Sequence, residues 1–198
     1  MNESSRVPLA LAALASLALS ACSPTGGGEP PLQGARIGGP FKLTDQNGAG
    51  FDSRSLQGKY RIVYFGYTFC PDVCPVDLQQ IGLAMRQLER SDPERAARVQ
   101  PIFITTDPGR DTPAVLKEFV AAFHPRLIGL TGTPAEIAAV SKAFGAYASK
   151  RDTVGASGYL VDHIRVALLF GPKGEPIAIL PHEQGADAIL TELNKWVA

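Results

Sequence analysis

Short β-branched runs alternate with stretches of helical period. A Cys-x3-Cys loop directly follows one of those runs. Two closing strands flank Gly171-Pro172-Lys173-Gly174-Glu175 and lead into a last helix. Together these features predict an α/β domain of thioredoxin-like type over residues 37–198, elaborated by an N-terminal β-hairpin and one extra helix.

The first segment is different in kind. Residues 7–19 are almost entirely aliphatic and too few to cross a bilayer comfortably, which fits the apolar core of an export signal over residues 1–21. Leu19-Ser20-Ala21-Cys22 resembles a bacterial lipobox, in which Cys22 is lipidated and becomes the first residue of the mature chain; cleavage after Ala21 without lipidation is the plainer alternative. Either way the folded part is expected in the cell envelope, at the periplasmic face, and with the lipid it is membrane-anchored. Residues 22–36 are rich in Gly and Pro and read as a flexible tether.

Beyond the tether, Asp45-Gln46-Asn47-Gly48 sits between short apolar runs at 41–43 and 50–52 and predicts a hairpin. A strand is expected at 61–67. Residues 75–90 follow, with Val76, Leu78, Ile81, Leu83, Met85 and Leu88 at helical spacing. Then come a strand at 99–106, a helix at 113–123, a strand at 127–130 and a helix at 134–148 that opens on Pro134. Strands at 166–170 and 176–180 and a helix at 186–197 close the domain. Parallel strands joined by crossover helices gather their loops at the carboxyl ends, where α/β proteins keep ligands, and Cys70 falls in such a loop.

Lys+Arg and Asp+Glu both number 19, and loss of the leader removes one of each, so the domain is neutral and offers a nucleic acid no general attraction. The chain has three cysteines. With Cys22 given to the anchor, Cys70 and Cys74 remain as a disulfide, a redox pair or a metal site in an oxidising compartment. Pro75 disfavours helical backbone at Cys74, so Cys74 is expected to cap the helix from outside. The positive helix end beside it favours thiolate over thiol.

Two thiolates select a soft ion, Cu(I) or Zn, over Mg, Ca or Mn. The available imidazoles are His124, His163 and His182, with no His-x3-5-His pair among them, so a three-coordinate site suits copper better than structural zinc. Met1 and Met85 are the only methionines, which excludes a methionine-based copper carrier. His124 reads as a charge complement at a helix end, and His182 as a solvated loop residue. His163 reads as a structural polar group or as a ligand, and Asp162 either fixes its tautomer or caps a turn.

Tyr67-Thr68-Phe69-Cys70-Pro71-Asp72-Val73-Cys74-Pro75 is very similar to the Cys-Pro-x-x-Cys-Pro signature of the Sco/SenC family. Asp107-Pro108-Gly109-Arg110-Asp111-Thr112-Pro113 resembles that family's Asp-Pro-x-Arg-Asp-Thr-Pro segment, and Asp162-His163 followed by a strand and a Gly-Pro-Lys-Gly-Glu turn resembles its third landmark. The resemblance spans about residues 37–197. It implies one copper ion per chain held by Cys70, Cys74 and His163. It further implies a chaperone role toward the dinuclear copper centre of cytochrome c oxidase subunit II, or toward another copper protein. The same cysteines would then serve as redox pair and as a Cys70–Cys74 disulfide.

One departure from the family is the pair Ile164-Arg165, where small residues commonly follow the histidine. Arg110 and Asp111 are expected to form an ion pair supporting their loop, with a docking role as the alternative, and Tyr67 and Phe69 to line the core or the pocket wall rather than to anchor a partner. Two other readings stay open. A thiol-disulfide reductase, with Cys70 attacking and Cys74 resolving, needs no His163; a redox or copper sensor needs no copper acceptor. Enzymatic activity beyond the exchange reaction is not expected.

Overall fold

A computed structural model of the chain describes residues 28–152 and 158–198. The export signal, Cys22 and most of the expected tether lie outside them. The described end of that stretch rests on the domain: Leu32 donates to the carbonyl of Ile177 at 3.0 Å, and turns close from Gln33 to Pro30 and from Ala35 to Leu32.

Strands β1 (Lys42–Asp45) and β2 (Gly50–Asp52) form the expected hairpin. The Asp45 carboxylate accepts from the N–H groups of Asn47 and Ala49, and Gly48 takes φ +80°, a conformation glycine adopts freely. Next come β3 (Tyr60–Gly66), α1 (Val73–Ser91), α2 (Pro93–Ala97), β4 (Val99–Thr105), α3 (Pro113–Ala121), β5 (Ile128–Thr131) and α4 (Pro134–Ala143). The chain ends in β6 (Ala148–Asp152), β7 (Tyr159–His163), β8 (Ala167–Phe170), β9 (Pro176–Leu180) and α5 (Ala186–Trp196).

Seven strands form one sheet in the order β2-β1-β5-β4-β3-β8-β9, with β3, β4 and β5 parallel and the other pairs antiparallel. This is the thioredoxin-like α/β arrangement. The N-terminal hairpin adds to the β5 edge through Thr44 opposite Thr131. Because helices cover both faces, the central strands are apolar on both sides. Ile62, Tyr64 and Phe103 face Leu78, Met85, Leu116 and Leu193, while Val63, Phe65, Ile102 and Ile104 face Ile137, Val140 and Phe144.

Three boundaries depart from the sequence reading. The short helix α2, capped by Asp92, was not expected. Helix α4 starts as predicted, with Thr133 and Glu136 in a reciprocal capping box, but it stops at Ala143, and Gly145 turns the chain out at φ +67°. The released residues build β6, which pairs with β7 as a separate two-stranded ribbon, Ala148 opposite His163, and neither strand was expected. Third, α1 begins at Val73, so Cys74 lies within its first turn and does not cap it from outside. Pro75 is tolerated because the first N–H groups of a helix have no intrahelical partner to lose.

Two buried histidines make stability depend on pH in opposite directions. His124 is buried, and burial lowers its pKa with Arg86 and Arg126 adding, against the pull of Glu89. His182 is also buried, and burial opposes its charge, yet the Asp77 carboxylate and the Leu180 carbonyl outweigh that and raise its pKa. Neither matches its expected role: His124, read as a charge complement at a helix end, is buried with its charge disfavoured, and His182, read as a solvated loop residue, is buried against Asp77. A raised histidine stabilises the fold below the unfolded value of about 6.5 and loses that contribution as pH climbs through its folded value; a lowered one does the reverse. Urea unfolding between pH 5 and 8 is therefore expected to show the deficit of His182→Asn shrinking as pH rises and that of His124→Asn shrinking as pH falls.

Candidate metal centre

Strand β3 ends at Gly66, and the chain then turns over Tyr67, whose carbonyl accepts from the Cys70 N–H at 3.2 Å. Cys70 and Cys74 are both buried free thiols, Cys74 completely so. Only glycine fits at position 66: a Cβ there would stand 2.8 Å from the Cys74 sulfur and 3.1 Å from the rings of Phe103 and Tyr64.

The β6–β7 ribbon brings in the imidazole. His163 Nε2 lies 3.1 Å from Cys74 Sγ, and the ligand atoms of Cys70, Cys74 and His163 all fall within 4.8 Å of one another. The other ring nitrogen, Nδ1, is 3.0 Å from the Ile164 carbonyl. A carbonyl only accepts, so in the neutral ring the proton belongs on Nδ1 and the Nε2 lone pair faces the sulfurs. Tyr67 stands edge-on to the imidazole, with ring centroids 5.8 Å apart and planes at 89°.

The two thiols share one easy proton loss. Hydrogen bonding from the Cys74 thiol holds Cys70 well below the ordinary thiol range. Burial opposes this, and His163 and the backbone N–H groups of Cys74 and Asp72 add to the lowering. Cys74 is pushed far up by that same bond to Cys70 and by burial. One thiolate and one thiol are therefore the resting form of the pair near neutral pH.

Behind Cys74, one helical turn on, Asp77 is buried in α1. Arg165, two residues past His163, grips it with two nitrogens, Nε at 2.7 Å from Oδ2 and Nη2 on Oδ1. The Tyr64 hydroxyl donates to Oδ2 at 2.8 Å, and His182 Nε2 stands 3.4 Å away. Burial works against the Asp77 charge, but Arg165, His182 and Tyr64 together hold its carboxyl below the usual carboxylate range.

Donor chemistry and spacing both fit a single soft ion. Ligands about 2.0–2.3 Å from one ion lie about 3.5–4 Å apart, compatible with the separations found. Among the described residues the cluster has no fourth His, Cys, Asp or Glu, which leaves it open where structural zinc would be closed. The SCO1/SenC family model matches residues 29–198. The chain belongs to the SCO1/SenC family.

Among SCO1/SenC relatives, the mitochondrial protein SCO2 of Saccharomyces cerevisiae is 40% identical over 166 residues, which are 81% of this chain and 54% of that protein. The chain spans about half the length of the first curated relatives it matches. Bradyrhizobium japonicum ScoI, solved with copper bound, is 39% identical with a TM-score of 0.73, covering 81% of this chain and 99% of that one. BsSco, described as a member of the Sco family of cytochrome c oxidase assembly proteins with a disulfide switch, is 26% identical with a TM-score of 0.65, covering 84% and 95%. No described helix is long and apolar enough to cross a membrane.

The three residues singled out in the sequence thus converge, while their expected supports are rearranged. Asp162 pairs with Arg151 at the surface at 3.1 Å and leaves the imidazole to Ile164. Arg110 pairs with Asp107, not with Asp111. Asp111 is buried and accepts from the Thr68 N–H and the hydroxyls of Thr68 and Thr105, which fixes the start of the cysteine turn on β4. Tyr67 lines the pocket, but Phe69 is 53% exposed. Asp77 was missed, although an acid on the apolar stripe that carries Cys74, Leu78 and Ile81 is a signal for a buried polar partner.

Proposed function

We propose that this chain is a copper-binding chaperone of the cell envelope, holding one ion per chain between Cys70 Sγ, Cys74 Sγ and His163 Nε2. The observation that carries the reading is the convergence of two sulfurs and one imidazole within 4.8 Å, in a family with a member solved holding copper. The open side of a three-ligand site gives an acceptor's ligands a place to attack, so the ion passes by ligand exchange. The acceptor is the dinuclear copper site of cytochrome c oxidase subunit II, in keeping with the description of BsSco as an oxidase assembly protein. Lipidation of Cys22 anchors the domain at the periplasmic face of a membrane, supported by Leu19-Ser20-Ala21-Cys22.

The test is a Cu(I) titration against a chelating competitor. It uses the reduced full-length chain with Cys22→Ser, which removes the third thiol. One copper per chain is expected, with affinity reduced on the order of 100-fold in His163→Ala at about 3 kcal/mol per lost ligand. Undiminished copper affinity in that variant, together with full insulin-reducing activity, would overturn it in favour of thiol exchange.

The low-lying Cys70 thiolate favours that exchange as a second activity. Cys70 attacks a partner disulfide and releases one partner thiolate. Cys74 then attacks the mixed disulfide and releases the other. The partner gains two electrons and two protons, and the chain is left with a Cys70–Cys74 disulfide.

A further inference from the structure

The β6–β7 ribbon that carries His163 shares no ladder with the seven-stranded sheet. Where it lies over the cysteines is therefore set by the chain that enters and leaves it and by side-chain links, one of them at mid-strand, where the Tyr67 hydroxyl meets the Val161 backbone. Past His163 the link is Arg165 on Asp77. At the other end of β7 it is Arg110 on Tyr159.

The guanidinium of Arg110 joins three segments. Its Nε donates to Asp107 Oδ2 in its own loop, and its Nη1 donates to the carbonyl of Tyr159, the first residue of β7, at 3.0 Å. Its carbon stands 3.9 Å from the ring centroid of Tyr159, 5.0 Å from that of Phe69 and 5.7 Å from that of Tyr67, the two residues that lead into Cys70. The Tyr159 hydroxyl closes the cluster by donating to Asp107 Oδ1 at 2.7 Å, so both oxygens of that buried carboxylate are used. A planar fork that bonds and stacks at once can do this; an ammonium cannot. Four residues of extended chain, about 13 Å, separate Tyr159 from His163. A tilt at one end of so short a strand is carried to the other.

We infer that Arg110 is a positioning residue: through Tyr159 it fixes β7 over the cysteine turn and so holds His163 at ligand distance from Cys74. This rests on the metal-site reading of His163. Partners one shell out from a ligand typically change metal affinity 10- to 100-fold, and a loss in that range is expected for Arg110→Ala.

Two measurements on the reduced Cys22→Ser chain decide it. The first needs no copper: in Arg110→Ala, hydrogen exchange at residues 148–152 and 159–163 should speed up by about tenfold or more while residues 62–65 and 102–104 keep their protection. The second is a double-mutant cycle: Arg110→Ala/His163→Ala should bind Cu(I) no more weakly than His163→Ala alone, because Arg110 acts only through that ring. Arg110→Lys, which keeps a cation over the rings, should recover part of both signals and replaces Arg110→Ala in the cycle if the alanine variant does not fold. Uniform loss of protection, parental copper affinity in Arg110→Ala, or additive losses in the cycle would overturn the inference. If the parent chain takes up no copper, the function proposed above fails, and the exchange comparison still decides whether Arg110 holds the ribbon.

Discussion

Cys74→Ala is expected to lose stoichiometric copper binding under conditions where the Cys22→Ser parent takes one ion per chain, and to change the acidity of the sulfur that remains. Four-ligand thiolate and imidazole sites are worth about 10–16 kcal/mol, so one lost thiolate removes about 3 kcal/mol or more, roughly 100-fold or more in affinity. The second effect separates this variant from His163→Ala. The Cys74 thiol is the largest cause holding Cys70 low, so without it the Cys70 thiol moves up toward the ordinary range. Alkylation by iodoacetamide reads this in its slope rather than its rate. A thiolate of low basicity is also a poor nucleophile, so the two effects on rate partly cancel near pH 6. Between pH 5 and 7 the reduced parent should alkylate at a nearly constant rate, since Cys70 is already ionised and Cys74 is fully buried. Cys74→Ala should speed up by as much as about tenfold per pH unit, as a group titrating above that range requires. A flat profile in the variant would show that helix and histidine alone set the Cys70 acidity.

Elements with a buried face were legible in the sequence. Strand β3 reads as an unbroken β-branched and aromatic run because both its faces leave water, helix α1 shows its period because one side does, and Pro134 behind Thr133 marks a helix start by the hydrogen bonds it can and cannot make. Strand β6 has no such face. Ala148-Ser149-Lys150-Arg151-Asp152 is half-buried at its first two residues and exposed at the rest, and its pairing with β7 leaves no alternation to read. The helix drawn on to 148 overran for the same reason, since nothing but Gly145 marks its end. For the site, the cysteines announced themselves by spacing, but His163 came only through the family resemblance, because local sequence does not say which distant imidazole will face them. The partner of Arg110 was misassigned and that of Arg165 was not foreseen, on the same ground. Arg110 was matched with its neighbour in sequence, Asp111, whereas Arg165 meets Asp77 across 88 positions of chain and the whole sheet topology.

Asp77→Ala is expected to be the most destabilising of the single substitutions considered, by about 3 kcal/mol, the lower end of the range for breaking a buried ion pair because Arg165 keeps some access to water. The carboxylate satisfies Arg165 and Tyr64 at once and faces His182, so its removal leaves the guanidinium to the exposed Glu183 and strands a buried hydroxyl in one step. For a domain of this size the loss corresponds to a fall of roughly 6–12 °C in melting temperature. Asp77→Asn should cost less, since an amide still accepts from Tyr64, although it leaves Arg165 with Glu183 as its counter-charge. The double variant Asp77→Ala/Arg165→Leu should recover part of the loss, because it removes the charge that the single variant leaves without its buried partner. The difference between parent and Asp77→Ala also has a required sign with pH. Asp77 is held below the usual carboxylate range in the fold, so its contribution is complete above the unfolded value of about 3.9 and fades as pH falls through the folded one. Urea unfolding at pH 6 and at pH 3 should therefore show a smaller gap between the two proteins in acid. A gap that widens in acid would mean that Asp77 is protonated in the native state and that Arg165 finds its counter-charge at Glu183 alone, 2.9 Å away.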